Sequence, residues 1–228
     1  MIFKQVFDQK SSTYTYLIAS AEGREALIID PVLENIDDYI KLLNELNLKL
    51  VKVIDTHIHA DHVTGAGKLR DKTKCVTIMG EHTPTDAVEV KVKDEEIIKL
   101  DQLKIKALYT PGHTSDSFSF LMDNYLFSGD TLLINGTGRT DFQNGSSTDA
   151  YNSIFNRLLT LPDETLLYPA HDYKGEKVST IGKEKKFNPR LQVKNVDEYI
   201  DIMNNLNLKK PAAIDFNVAS NLRLGTEI

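Results

Sequence analysis

A β-branched apolar run, Leu50-Val51-Lys52-Val53-Ile54, passes almost directly into Thr56-His57-Ile58-His59-Ala60-Asp61-His62. A strand that ends in three imidazoles and a carboxylate has few places to lie in a fold. Its apolar body asks for burial, while its polar end has to stand where a sheet stops and a turn begins. His57 and His59 are two apart, so on an extended backbone they project to the same side. Asp61 and His62 follow in the turn, where loop geometry folds them back toward the pair. Imidazole and carboxylate at this density form a ligand set for zinc or iron.

Further ligand types recur in the same setting. His113 lies in Tyr109-Thr110-Pro111-Gly112-His113-Thr114, after the alternating Leu103, Ile105 and Ala107. Asp130 follows Tyr125-Leu126-Phe127-Ser128-Gly129, and His171 follows Leu166-Leu167-Tyr168-Pro169-Ala170. Repeated placement just past a short apolar strand is how a sheet gathers ligands distant in sequence. His82, in Glu81-His82-Thr83-Pro84, lacks that setting and reads as a surface residue.

The 228 residues suffice for a sizeable core and read as one domain over 1–228. A net charge of −6, with both signs interspersed, offers no basic stripe for nucleic acid. Met1-Ile2-Phe3-Lys4-Gln5-Val6-Phe7-Asp8 lacks the apolar region of a signal peptide, and no stretch is long enough to span a bilayer. The single Cys75 excludes an internal disulfide and fits a reducing compartment, with the cytoplasm as the expected location. In Lys74-Cys75-Val76-Thr77-Ile78 it reads as a core residue.

The pattern predicts strands over 2–7, 14–19, 25–30, 75–79, 97–100, 103–109, 117–122 and 125–128. Ile36, Tyr39, Ile40, Leu43 and Leu46 have helical spacing, with Asn35 as the expected cap. A short helix is expected over 64–71. Another fits 148–160, capped by Ser147 or Thr148, with Ile154, Phe155, Leu158 and Leu159 inward. A last one fits 196–207. Strands alternating with helices on both sides give a layered α/β sandwich. Asn35-Ile36-Asp37-Asp38-Tyr39-Ile40 recurs as Asn195-Val196-Asp197-Glu198-Tyr199-Ile200. Two similar helices on opposite faces would explain the repeat, and so would convergence on one amphipathic pattern.

The series His57-x-His59-x-Asp61-His62, His113, Asp130 and His171 resembles the metallo-β-lactamase superfamily, in its order and its strand-end contexts. That resemblance implies an αββα sandwich, two mixed sheets flanked by helices, with a metal site at one edge. Gly138-Arg139-Thr140-Asp141-Phe142-Gln143, Tyr168-Pro169-Ala170-His171-Asp172-Tyr173 and Phe187-Asn188-Pro189-Arg190-Leu191 resemble the persulfide dioxygenase branch, which is related to glyoxalase II.

Two chemistries follow from the resemblance. In persulfide dioxygenases His57, His113 and Asp130 would bind one iron(II), the arrangement of non-haem oxygenases, with room for a persulfide and dioxygen. His59, Asp61, His62 and His171 would then orient and tune those ligands. Glutathione persulfide, or another small thiol persulfide, would yield sulfite and thiol. In glyoxalase II, two zinc ions would share Asp130, with His57, His59 and His113 on one and Asp61, His62 and His171 on the other. Such a site hydrolyses hydroxyacylglutathione thioesters. Glyoxalase II carries a larger helical extension than the 57 residues after His171 suggest, which favours the dioxygenase.

Arg139, Asp141, Tyr173, Lys174 and Arg190 lie in the branch-specific segments as candidate substrate contacts, Arg as a fork for carboxylate and Lys as a point charge. Arg139 and Asp141 have the alternative of pairing with each other. The implied partners are a thiol persulfide and dioxygen, without nucleic acid or membrane, and a homodimer is allowed. Thr137 stands where many of the branch have Cys, and Val218-Ala219-Ser220-Asn221 stands where many have Pro-Ala-Asn. No fused rhodanese domain is expected.

Overall fold

The computed structural model describes residues 1–210 and 213–226. Two six-stranded sheets face each other. The first holds β1 (Ile2–Asp8), β2 (Thr13–Ala19), β3 (Glu25–Ile29), β4 (Lys49–Ile54), β5 (Val76–Gly80) and β6 (Val90–Val92), side by side in that order. Its first three strands are antiparallel, and β3 through β6 are parallel. The second sheet contains β7 (Ile97–Leu100), β8 (Leu103–Tyr109), β9 (Phe118–Met122) and β10 (Tyr125–Gly129) as an antiparallel meander. The small hairpin β11 (Leu132–Leu133) and β12 (Gly136–Thr137) follows. Then β13 (Leu166–Pro169) pairs parallel to β10, and β14 (Ser179–Thr180) closes the edge.

Helices α1 (Ile36–Glu45) and α2 (Ala66–Thr73) cover the first sheet. Helices α3 (Ser147–Phe155), α4 (Ile181–Phe187) and α5 (Val196–Asn204) cover the second, and α6 (Ile214–Asn221) is the last helix among the described residues. The result is the expected αββα sandwich of mixed sheets. Burial follows the layers. Tyr16, Ile18, Leu27, Ile29 and Ile54 meet Ile105, Phe118, Phe120 and Phe127 between the sheets. Leu17, Ile28 and Val53 point the other way, onto Tyr39, Leu43 and Leu69. Leu126 and Leu167 pack on Ile154, Ile181 and Tyr199. With both faces covered, the central strands are apolar on consecutive positions, as Leu17-Ile18 and Leu27-Ile28-Ile29 show.

The sequence-based boundaries shift in several places. Asn35 does not cap α1. It already lies in a 3₁₀ turn with φ −98° and ψ 11°, so its side chain turns to Asp8 instead. Its counterpart in the repeat, Asn195, is extended, and its Oδ1 accepts the Glu198 amide at 3.0 Å. The repeated helices do cover opposite sheets, with Tyr39 and Tyr199 both buried. Ser146, rather than Ser147 or Thr148, caps α3, because its Oγ reaches the Asp149 amide. That helix stops at Phe155, and 158–160 form a separate 3₁₀ turn. The elements β6, α4 and α6 carry too few periodic residues to stand out in the sequence.

Candidate metal centre

Four strands deliver the ligand types at their C-terminal ends. The segment 55–65 leaves β4, His113 follows β8, Asp130 follows β10 and His171 follows β13. Parallel alignment of β10 and β13 puts these ends on one side of the sandwich. The rings of His57 and His59 stand 4.2 Å apart, those of His57 and His113 4.9 Å, and those of His59 and His62 4.4 Å. His113 Nε2 lies 3.5 Å from Asp130 Oδ2. His171 Nε2 lies 3.4 Å from Asp61 Oδ2 and 3.6 Å from Asp130 Oδ2. Every sequence-predicted ligand is therefore at one locus.

The donors fall into two groups. One atom each from His57, His113 and Asp130 lie within 4.8 Å of one another, and so do atoms of His59, Asp61 and His62. Buried His59 Nδ1, His62 Nε2 and Asp130 Oδ1 have no hydrogen-bond partner. A buried polar atom without a partner is costly, and a cation bound at the group to which each belongs would satisfy it. Nitrogen and oxygen donors of this kind suit zinc or iron. The residues fit a metal.

Electrostatics divide the cluster as well. Burial, with the nearby His59 and His113, holds the His57 imidazole well below its usual range, which keeps it neutral and able to ligate. Burial and His62 do the same to His59. For Asp61, burial alone would raise the carboxyl, but His171 and His62 outweigh it and hold it well below the usual carboxylate range. Burial likewise opposes charge on His171, and Asp130 and Asp61 overcome it, lifting the imidazole to about 10. Asp61 is thus paired within the protein, whereas Asp130 keeps one oxygen free.

Residues to which the sequence-based reading gave no such role orient these ligands. Asp30, left-handed at φ 51°, accepts from the Thr56 amide at 2.7 Å and lies 3.1 Å from His59 Nε2, which turns Nδ1 to the site. His113 Nδ1–H donates to the Arg139 carbonyl at 2.7 Å, leaving Nε2 facing Asp130. Gly138 makes that approach possible, since a Cβ there would lie 2.1 Å from the Asp130 carbonyl. Asp116 accepts the Ile58 amide, and Gln143 donates to the Ile58 carbonyl. From α6, Asn221 donates to the carbonyls of His59 and His62 and accepts the Thr64 amide, each at 2.8 Å. Thr13 Oγ1 sits 3.3–3.5 Å from Asp61, His62 and His171. Only Asp30 and Asp55, each ending an apolar strand, resemble in the sequence the signal that marked the ligands.

A cavity of about 560 Å³ opens beside the first group, reaching Asp61, His113, Asp130 and His171. Arg139, Tyr173, Lys174 and Arg190 line it, and Asp141 does not. Arg190 is half-buried and gives Nη1 to the Thr137 carbonyl. Among the described residues it has no carboxylate partner. The Arg139 fork is already filled, since Nε and Nη2 reach the two Asp141 oxygens at 2.6 and 2.7 Å. Thr137, buried, takes the Tyr199 hydroxyl at 3.1 Å beneath Arg190. His82 is exposed and stacks on Tyr109, away from the cluster. Among the described residues no helix is long and apolar enough to cross a membrane.

The family model described as "Metallo-beta-lactamase superfamily" matches residues 9–87 and 80–171. The chain is 40% identical to the human protein named "Persulfide dioxygenase ETHE1, mitochondrial", over 100% of this chain and 90% of that protein. The crystal structure of ETHE1 from Myxococcus xanthus superimposes with a TM-score of 0.96 at 47% identity, covering 99% of this chain and 100% of that one. A hydroxyacylglutathione hydrolase of Dictyostelium discoideum is 33% identical over 70% of this chain and 62% of its own length.

Proposed function

Because the chain belongs to the metallo-beta-lactamase superfamily, in the family of the persulfide dioxygenases, we propose that it oxidises a small thiol persulfide with dioxygen to sulfite and the free thiol. Glutathione persulfide is the simplest such substrate. The observation that carries this reading is a conjunction. Identity to the persulfide dioxygenases runs the length of the chain, and its sequence supplies the His57, His113 and Asp130 group beside an open cavity.

In this reading those three residues hold one iron(II), which supplies the electron transfer that ground-state dioxygen needs to react with closed-shell sulfur. The protein's own groups do the rest. The Arg139 carbonyl fixes the His113 tautomer, and Asp30 fixes His59. Asp61 is occupied by His62 and His171, which favours a single ion over a pair. Overall, one persulfide, one dioxygen and one water give one thiol, one sulfite and two protons. Both dioxygen atoms end on the outer sulfur, and cleavage of the sulfur–sulfur bond returns the electron pair to the thiol. Arg190 is the contact that we assign to a carboxylate of the carrier, because its half-buried fork lacks an acidic partner among the described residues. Lys174 and Tyr173 line the same cavity and would flank the carrier. A reducing compartment, the cytoplasm in the simplest case, is the setting that we propose.

Metal analysis with an oxygen electrode tests this. Near one iron per chain, and oxygen uptake on adding glutathione persulfide, is the expected result. The unpartnered nitrogens of His59 and His62 favour one competing outcome, a two-ion hydrolase. Two zinc ions per chain, with cleavage of S-lactoylglutathione and no oxygen uptake, would establish that instead.

A further inference from the structure

Arg139 lines the cavity, yet its guanidinium is turned away from any incoming ligand. Its two-pronged contact with Asp141 leaves Nη1, which donates to the Lys209 carbonyl at 2.7 Å, and Nη2 also reaches the Leu208 carbonyl at 3.3 Å. The Phe142 ring lies 4.5 Å beneath the guanidinium carbon. Leu208 and Lys209 belong to the strap 205–210 that leads from α5 toward α6. The amides of Asn205 and Leu206 finish the last turn of α5. Beyond them, the hydrogen bonds from the rest of the described chain to the strap's carbonyls are those from Arg139.

The strap is also a partition. On one side Leu208 and Lys209 line the 560 Å³ cavity beside the metal centre. On the other, Leu206, Asn207 and Leu208 line a second cavity of about 430 Å³, which Arg139 and Asp141 share. Leu206 packs on the core beneath the second sheet and Lys210 pairs with Asp215 at 3.5 Å, so the part between them, Leu208 and Lys209, is a wall with space behind it whose carbonyls are held by Arg139. Lys209 has no carboxylate partner among the described residues, so its charge is available to the cavity.

We propose that the 205–210 strap is a specificity element for the thiol carrier, with Lys209 presenting a cation to an anionic carrier and Arg139 acting through the strap as its positioning residue. The proposal rests on the persulfide reading of the cavity. It assigns Arg139 an indirect role, because a fork occupied by Asp141 and two carbonyls cannot also clamp a substrate carboxylate. The metal centre is spared when the side chain changes, since His113 is held by the Arg139 backbone carbonyl.

The test uses iron-loaded protein, with glutathione persulfide as the anionic substrate and 2-mercaptoethanol persulfide as a neutral one. Arg139→Gln should raise KM for glutathione persulfide about tenfold, with kcat within about twofold and iron content unchanged. Lys209→Ala should raise the same KM about threefold and leave that of the neutral substrate alone. The double variant should be no worse than Arg139→Gln, because both changes act through one strap. Arg139→Lys, which keeps the charge without the fork, should fall between wild type and Arg139→Gln. Additive effects, equal losses on both substrates, or loss of iron in Arg139→Gln would overturn the proposal. Should Arg139→Gln fail to fold, Lys209→Ala alone decides by its contrast between the two substrates. If the wild type consumes no oxygen with either persulfide, the reaction assignment falls. Calorimetric binding of glutathione to wild type and Lys209→Ala then still reads the strap, and equal affinities would refute it.

Discussion

Two segments border the metal centre and its cavity and are held in opposite ways. The ligand segment 55–65 is fastened from nearly every direction. Asp30, Asp116, Gln143, Asn217 and Asn221 bond its backbone, and Leu33, Phe118 and Ile78 add main-chain contacts. The strap 205–210 has few supports: Leu206 on the core, the Lys210–Asp215 pair, and Arg139 on the carbonyls of Leu208 and Lys209. The difference separates two tasks. Ligand geometry has to be reproduced within a fraction of an ångström, which takes redundant supports. A wall that meets a variable carrier needs only to be set in place.

Breaking the rigid side should give the largest effect. Asn221→Ala leaves two carbonyls and one amide of the ligand segment unpaired in a buried place. A loss of about 3 kcal/mol or more is expected at about 1–3 kcal/mol per stranded group, or roughly 6–12 °C in Tm by calorimetry. Metal affinity should drop about tenfold or more with it. An unchanged melting curve would mean that α6 does not support the centre.

Gln143→Asn is a milder break. Asn tolerates the left-handed φ of 49° but cannot reach the Ile58 carbonyl, so a loss of about 1 kcal/mol is expected in denaturant unfolding. If the other supports are as redundant as the geometry indicates, one iron per chain should remain.

Asp116→Asn reads the same frame through pH. Burial raises the Asp116 carboxyl above its usual value, so the folded state keeps a proton that the unfolded chain loses. Its contribution is complete below about pH 4 and is lost as pH rises through the elevated folded value. Removing the acid should flatten the decline of stability with rising pH in that window. A slope identical to wild type would show that the acid is not buried as described.

On the strap side, Asp141→Asn should move Tm hardly at all, since the aspartate is exposed. It should still loosen the Arg139 fork, visible as a rise of about twofold to threefold in KM for glutathione persulfide. A large Tm loss there would erase the contrast between the two segments.

Legibility in the sequence followed the same division. His57, His59, Asp61 and His62 stood out because one strand end carries them all, and His113, Asp130 and His171 because each repeats that strand-end setting. Asp116, Gln143 and Asn221 did not, because a side chain that bonds a distant backbone amide or carbonyl has no local pattern. Arg139 was visible as a cation near the site. Its pairing with Asp141 was one of two readings, and only the fold placed Lys209, 70 residues on, against its remaining nitrogen.

The sequence by itself determined the layered α/β architecture and the identity of the ligand cluster, since apolar periodicity and strand-end polarity are short-range properties. Tertiary structure alone decided which imidazole nitrogen faces the centre, which acid is already paired and which arginine is free. Those outcomes depend on contacts such as Asp30 with His59, His171 with Asp61 and Arg190 with the Thr137 carbonyl. The partners are 29 to 110 positions apart, and chain folding rather than local preference brings them within hydrogen-bond reach.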